Sequence, residues 1–227
     1  TTALFVVLAT LIPFVLGFIW AILLNQGFKG SELLRGLTLV NWIIPGIAIG
    51  FLWSWIFNGQ YGVLNGLLTN LGILDKGVSW MGQTQTALLC VVIARSWQML
   101  PWYMAFLLGG LQGVSTDQIE ASRIDGASDR QMILRIVLPL AKPAIVVTCV
   151  MVLITVWNEY LFATTFLLDS TSYSLAGGLY QLQSNDYSRS WPLFSAAAVL
   201  VSLPILAVFF KIQKYMVSGL TAGGVKG

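Results

Sequence analysis

The chain has 227 residues, of which 57% are hydrophobic and only 9% are charged, and its formal net charge is +3. A soluble globular protein carries about 25% charged residues, so most apolar side chains here must face lipid or other buried helices. The sequence contains no histidine, which removes the usual general base and the commonest metal ligand, and the small net charge does not favour nucleic acid. We therefore expect no catalytic site, no cofactor and no metal in this chain.

Five stretches are apolar over the roughly 20 residues that a membrane-spanning helix needs. These predicted spans are Thr2–Leu24, Leu37–Phe57, Thr86–Leu111, Ala144–Leu168 and Pro192–Ile212. Four of them contain a proline, which a membrane bundle tolerates because neighbouring helices satisfy the freed carbonyls. The predicted fold class is all-α: one transmembrane domain over residues 1–227, a polytopic membrane helix bundle with about five spans covered and some of them kinked.

The connectors between these spans carry their basic residues mainly on one side of the membrane. Two connectors and the segment after the fifth span must share a side and hold nine Lys and Arg residues, whereas the opposite side holds two. The nine are Lys29, Arg35, Arg123, Arg130, Arg135, Lys142, Lys211, Lys214 and Lys226, and the two are Lys76 and Arg189. The positive-inside rule predicts that the side with nine is cytoplasmic, which places Thr1 outside. Five spans that start outside fit a protein with one further span upstream.

The two outer connectors, Asn58–Gln85 and Asp169–Trp191, are rich in Gly, Asn, Gln, Ser and aromatic residues. This composition fits a surface that contacts another molecule. It fits equally well an ordinary polar loop in which Trp80 and Trp191 lie at the membrane–water interface.

The cytoplasmic connector 114–142 concentrates much of the charge of the chain in "IEASRIDGASDRQMILRIVLPLAKP". We predict two short helices separated by Gly126, the residue type that turns a backbone without a β-carbon penalty. We expect Pro139 to end the second helix and Pro143 to open the next span. Two capping boxes are predicted, Ser115 with Gln118 and Ser128 with Gln131.

The same connector is amphipathic, because apolar residues recur in it at nearly helical spacing. They are Ile124, Ala127, Met132, Ile136 and Leu140. Binding to lipid headgroups prefers a basic polar face, whereas acidic residues offset the arginines here. The residues alone leave open whether the hairpin is a solvated connector or docks into a groove on another protein.

Part of this connector, "EASRIDGASDRQMILRIVLPLAKP", resembles the EAA loop of the membrane subunits of ABC importers. The family pattern is Glu-Ala-Ala, three residues, Gly, nine residues and Ile-x-Leu-Pro, and only Ser122 departs from it. "WNEYLFATTFL" and the tail "GLTAGGVKG" resemble carbohydrate-importer permeases of the maltose type. "FLWSWIFNGQYGVLNGLLTNLG" resembles the partner permease class of the same systems, so the seat that this subunit occupies stays open.

The resemblance implies a permease subunit in the inner or plasma membrane, with six spans in the family, and not an enzyme. It implies three kinds of partner: an ATP-binding cassette ATPase dimer, a second permease subunit and an external solute-binding protein. ATP and Mg²⁺ would bind the ATPase, since this chain has no phosphate-binding loop motif. A sugar or oligosaccharide is the implied substrate, and the tail 219–227 is expected in the cytoplasm.

The resemblance also assigns a role to the loop 114–142, as a coupling helix seated in a cleft of the ATPase. Glu120 would pair with a basic group there, and Gly126 would supply the bend. The residues implied in coupling are Glu120, Ala121, Ser122, Asp125, Gly126, Ala127, Ile136, Leu138 and Pro139.

Two charged residues, Arg95 and Glu159, fall inside predicted spans, where an unpaired charge is costly. Both lie in the outer half of their spans, so we predict that they approach one another or share a polar network. Direct contact with substrate is the alternative. Further residues of a polar or substrate path are Gln98, Trp157, Asn158 and Tyr160, which could hydrogen-bond or stack on a sugar.

Two other functions compete with a sugar permease. One is an ABC permease for a different solute, such as a polyol or glycerol phosphate, because stacking residues do not encode the identity of the solute. The other is an ion-coupled carrier that uses Arg95 and Glu159 as a relay and needs no ATPase.

Overall fold

The computed structural model describes residues 2–167, 173–184 and 190–224, without the side chains of 84, 85, 116, 123, 129, 130, 184 and 214–224. The regular structure in these ranges is helical, which confirms the predicted all-α class. The first half contains α1 (Thr2–Asn25), α2 (Ser31–Ile43), α3 (Gly46–Ile56), α4 (Val63–Asn70), α5 (Thr84–Gln112) and α6 (Thr116–Ile124). Then follow α7 (Asp129–Met132), a π-helical turn (Ile133–Val137), α8 (Leu138–Leu140), α9 (Lys142–Trp157), α10 (Leu161–Phe166), α11 (Leu175–Ser184) and α12 (Trp191–Gly224).

Four of the five predicted spans have the length and hydropathy of a membrane crossing in the described part of the chain. Thr2–Asn25 and Trp191–Gln213 qualify as single helices. Two bent helix pairs qualify if each counts as one span: α2 with α3, and Ile133–Leu140 with α9. The remaining predicted span, the third in chain order, corresponds to α5, which at 29 residues is long enough to cross a membrane. Its Arg95 and Gln98 are polar, and the helix lies in the interior of the bundle.

The second and fourth predicted spans are each interrupted in the structure. Kinks were expected in the spans that contain a proline, which include the second but not the fourth. The second breaks between α2 and α3, whose axes differ by 96°. Ile44 is extended there, with φ −67° and ψ 129°, which is a conformation that the ring of Pro45 favours for the residue before it. The fourth breaks between Trp157 and Leu161, where α9 ends and α10 begins. Its predicted end at Leu168 lies outside the described residues.

Close packing of α1 on α5 forms the centre of the bundle. A β-carbon at Gly17 would lie 2.5 Å from the β-carbon of Tyr103, so only glycine lets the two helices approach this closely. Tyr103 is fully buried, and its hydroxyl donates to the carbonyl oxygen of Thr10 at 3.0 Å. This packing makes α5 the interior helix that carries Arg95 into the protein.

The loop after α1 returns the chain alongside it. Arg35 Nη2 donates to the carbonyl oxygen of Leu24 at 2.8 Å, which satisfies a carbonyl at the end of α1 and places a cation at the negative end of its dipole. Trp20 Nε1 donates to Thr38 Oγ1 at 3.0 Å, and this bond joins α1 to α2 farther from the loop that connects them. The end of α1, and with it the start of α2, lies on the same side as the end of α5, since Asn25 and Leu111 line one cavity.

Candidate functional site

The connector 114–142 folds as a helical hairpin, with α6 and α7 on either side of Gly126. Gly126 has φ 79°, a left-handed conformation that strains any residue with a β-carbon. The N–H of Ala127 donates to the carbonyl oxygen of Ser122 at 3.0 Å, which is the six-to-one bond of a Schellman motif. The predicted break at Gly126 is confirmed.

The second arm of the hairpin begins with the predicted capping box. Gln131 N donates to Ser128 Oγ at 3.3 Å, and Ser128 N donates to Gln131 Oε1 at 3.0 Å. At the first arm, the hydrogen bonds of the described residues do not include the predicted capping box of Ser115 with Gln118, so that prediction was wrong. Ser115 uses its main-chain oxygen instead, which accepts from Ile119 N at 3.4 Å.

After α7 the arm runs through the π-helical turn into α8, and its axis bends by 65° before α9. The helix ends at Leu140, one residue beyond Pro139, and Pro143 lies in the first turn of α9 as predicted.

Five of the nine residues implied in coupling line one open groove of about 430 Å³ between the two arms. They are Ala121, Ser122, Asp125, Ile136 and Pro139, joined in the lining by Gln118, Arg135 and Leu140. Glu120 and Gly126 are exposed outside this lining, and Ala127 and Leu138 are half-buried. The hairpin therefore offers a surface with one acidic and one basic side chain at an apolar groove.

Ser122, which stands where the family pattern has alanine, is accommodated at a buried position of α6. The residue is only 6% exposed, and its hydroxyl donates to the carbonyl oxygen of Ile119 at 2.7 Å. Because its own helix satisfies the hydroxyl, serine replaces alanine here without leaving a buried polar atom unpaired.

The expected single apolar face of the hairpin is divided in the structure. Met132 is buried against the bundle, and Ile136 is half-buried. Ile124 points the other way and is 86% exposed, next to the bend at Gly126. The prediction of one common face was wrong for Ile124, because the turn at Gly126 separates it from the residues of the second arm.

Arg95 and Glu159 form the predicted ion pair, with Arg95 Nη1 3.3 Å from Glu159 Oε2 and side chains 9% and 4% exposed. Arg95 also donates to Gln98 Oε1 and, at 3.4 Å, to the carbonyl oxygen of Thr155. Its guanidinium carbon lies 5.8 Å from the centre of the Phe162 ring. The pair joins α5 to the break between α9 and α10.

Glu159 also fixes the helices that follow it. Its Oε1 accepts from the N–H of Phe162 at 2.8 Å, which caps the start of α10. Its main-chain oxygen accepts from Ser174 Oγ at 2.7 Å, and Ser174 Oγ accepts from Gly177 N at 3.1 Å at the start of α11. Sequence reasoning missed Ser174, although a serine directly before a helix is an N-cap signal.

The remaining residues of the predicted polar path do not converge on this pair. Trp157 Nε1 donates to the carbonyl oxygen of Val201 at 3.2 Å and so contacts α12. Asn158 Nδ2 donates to the carbonyl oxygen of Ile154 in its own helix. The exposed ring of Tyr160 stacks on Tyr180, with 5.1 Å between the ring centres.

The described residues contain no group of three or more His, Cys, Asp or Glu side chains placed to hold a metal ion. The chemistry that the two regions offer is charge pairing inside the bundle and a recognition surface at the hairpin.

The fold is thus a helix bundle with membrane-crossing candidates and an exposed hairpin between its interior helix and the next long helix. Residues 14–221 match the family of binding-protein-dependent transport system inner membrane components, and the chain belongs to that family.

Curated relatives agree with this assignment. The chain is 33% identical over 209 residues to the trehalose/maltose transport system permease protein MalF of Thermococcus litoralis, covering 88% of this chain and 68% of that protein. It is 37% identical over 153 residues to the xylose/arabinose import permease protein XacH of Haloferax volcanii, covering 67% of this chain and 48% of that protein. The chain thus spans about half to two thirds of the length of these relatives.

Solved structures share the fold. A bacterial ABC transporter involved in the import of the acidic polysaccharide alginate superposes with a TM-score of 0.81 at 18% identity, over 95% of this chain and 76% of that one. The MetNI methionine ABC transporter, in inward-facing conformations, gives 0.68 at 18% identity, over 96% of this chain and 92% of that one.

Proposed function

We propose that this chain is the transmembrane subunit of an ATP-driven importer, that it forms half of the translocation pathway, and that its substrate is a sugar or oligosaccharide. Relatives named for trehalose and maltose, for xylose and arabinose, and for galactooligosaccharides support the class of substrate. The other half of the pathway belongs to a second permease subunit, and an external solute-binding protein delivers the substrate.

The observation that carries this proposal is the exposed hairpin, on which most of the family pattern lines one groove. A cytoplasmic ATPase dimer, which holds ATP and Mg²⁺, docks on this hairpin. Glu120 pairs with a basic group of the ATPase, and the exposed Ile124 enters an apolar part of its cleft. The nine-to-two distribution of basic residues favours a cytoplasmic hairpin and tail. Of the tail, residues 219–224 continue α12, and 225–227 lie outside the described residues.

Transport then couples hairpin movement to the broken helices. The bend of 65° lies directly between the hairpin and α9, and α9 ends at the break that Glu159 holds. Closure of the ATPase dimer displaces the hairpin and rocks α9 against α5, which is the rigid-body movement of an alternating-access transporter. In this mechanism Arg95 and Glu159 form a structural pair that keeps the break in place, while Gln98 and Tyr160 border the path of the substrate.

Co-purification with candidate ATPase subunits tests the coupling. We expect the wild-type chain to retain the ATPase and Glu120→Ala to lose most of it, because the basic partner is then left unpaired at the interface. Glu32→Ala is the matched control, since Glu32 is exposed at the start of α2 on the same predicted side. Equal recovery of the ATPase with both variants contradicts the role of Glu120. Uptake driven by a cation gradient without any ATPase points to an ion-coupled carrier instead.

A further inference from the structure

The connector between α3 and α5 is rigidly built around one buried amide, Asn65 in α4. Asn65 Nδ2 donates to the carbonyl oxygens of Gly59 at 3.0 Å and Val78 at 2.9 Å. Its Oδ1 accepts from Val78 N at 3.1 Å and from Trp80 Nε1 at 2.8 Å. These bonds tie the stretch that follows α3 to the stretch that precedes α5, so α4 has a fixed position.

That position is the end of the bundle remote from the hairpin. Trp80 lies four residues before α5 begins at Thr84, and the hairpin follows the end of α5 at Gln112. A helix of 29 residues is about 43 Å long, which matches the full thickness of a bilayer with its headgroups. Because Asn65 binds Trp80 directly, α4 lies close to the level at which α5 begins.

One face of α4 presents an apolar row that the described residues do not cover. Val63, Leu67 and Leu71 are exposed and follow one another at four-residue intervals, so they lie on the same side of the helix. Ile73, which follows the turn at Gly72, is exposed as well. The buried Asn65 lies on the opposite side, toward the bundle, and the half-buried Leu64 lies at the edge of the row.

We propose that α4 is an interfacial helix, with Leu67 and Leu71 inserted into the headgroup–acyl boundary of the bilayer leaflet opposite the hairpin. The helix that precedes α4 in the chain, α3, also has an exposed apolar surface, which includes Phe51 and Trp55. Together, α2 and α3 have the hydropathy of a membrane crossing. Between α3 and α4 lies Tyr61, whose exposed ring belongs to the residue types that gather at the membrane–water interface.

This arrangement gives the connector a function that is independent of the substrate. A rigid loop anchored in lipid holds the ends of α3 and α5 at a constant depth while other helices move. The inference goes beyond the proposed transport function and does not depend on the identity of the ATPase or the solute.

Spin labels placed on either side of α4 test the insertion. The full chain is reconstituted in nanodiscs of phosphatidylethanolamine and phosphatidylglycerol as Leu67→Cys, Leu71→Cys or Thr69→Cys, and the unsubstituted chain measures labelling of the native cysteines. Thr69 is the matched control, because it is exposed on the same helix but off the apolar row. Power saturation then compares the accessibility of each label to oxygen and to a water-soluble nickel chelate.

We expect labels at positions 67 and 71 to show a severalfold higher ratio of oxygen to nickel accessibility than the label at 69. Equal, water-like ratios at all three positions would overturn the proposal. So would labels at 67 and 71 that are water-exposed in nanodiscs and become protected only when a solute-binding protein is added, because the row would then be a protein-docking surface.

Discussion

At the scale of single residues, Glu159 uses its two carboxylate oxygens for different purposes. Oε2 pairs with Arg95, and Oε1 caps α10 through the N–H of Phe162. A charge in the membrane interior is tolerated where it is paired and hydrogen-bonded, and here one residue satisfies a buried cation and a broken helix together. A substitution at Glu159 therefore removes two stabilising interactions that separate experiments can distinguish.

Exchange of the two charges makes this distinction. Arg95→Glu or Glu159→Arg alone leaves like charges buried together, and breaking a buried pair costs about 3–5 kcal/mol. The double exchange restores the pair but not the cap, which contributes about 1 kcal/mol. We expect its melting temperature and its transport in proteoliposomes to exceed those of either single variant and to stay below wild type.

Glu159→Gln is the control for the cap, because its amide oxygen still accepts from Phe162 N while the charge is lost. A double exchange no better than either single variant would show that the pair contributes nothing. The pairing itself could be predicted from the sequence, since two opposite charges at similar depth in hydrocarbon need a partner. The cap could not, because it exists only where the fourth span is broken.

At the scale of helices, prolines within the predicted spans have different effects on the structure. Pro13, Pro101 and Pro204 lie inside continuous helices, whereas Pro45 coincides with a turn of 96°. The local cost of proline is about the same at each position, roughly 3 kcal/mol, so tertiary packing decides. After Pro45, a β-carbon at Gly46 would lie 3.3 Å from Leu161, so α3 leaves the break packed closely against α10. Spans and connectors were therefore predictable from hydropathy and kinks were expected at prolines, but which of the prolines would interrupt its span was not predictable.

The contact between α1 and α5 gives a prediction about packing. Gly17→Ala places a methyl group 2.5 Å from the β-carbon of Tyr103, so the helices must move apart, at a cost of about 1–3 kcal/mol. Gly109→Ala is the matched control in α5, because a β-carbon there meets nothing within 4 Å. The control should keep or raise stability by up to about 1 kcal/mol through helix propensity. Thermal unfolding in detergent measures both, and an unchanged melting temperature for Gly17→Ala would contradict the tight contact.

At the scale of the whole molecule, much of the apolar surface is exposed in the single chain, which indicates that lipid or other protein subunits cover it. None of the residues in the most apolar window of Trp191–Gln213 is buried within the chain. In a membrane permease such a surface faces lipid or, in the proposed assembly, a second permease. Ile124 is different, because it projects from a charged hairpin and not from an apolar span. Lipid does not explain its exposure as readily as a protein partner does.

Ile124→Ser tests whether that partner is the ATPase. Because the side chain is 86% exposed, the substitution leaves the folded chain and its melting temperature unchanged. Burial of an isoleucine in a cleft is worth about 1.5–3 kcal/mol, so its loss should weaken ATPase binding by about 10- to 150-fold. Leu33→Ser, at an exposed position of α2 on the same predicted side, is the control and should bind normally. Titration of the ATPase onto nanodisc-embedded complexes gives both affinities. If Ile124→Ser binds as tightly as the control while Glu120→Ala does not, the ATPase contacts the first arm of the hairpin by charge alone, and the apolar tip serves another purpose.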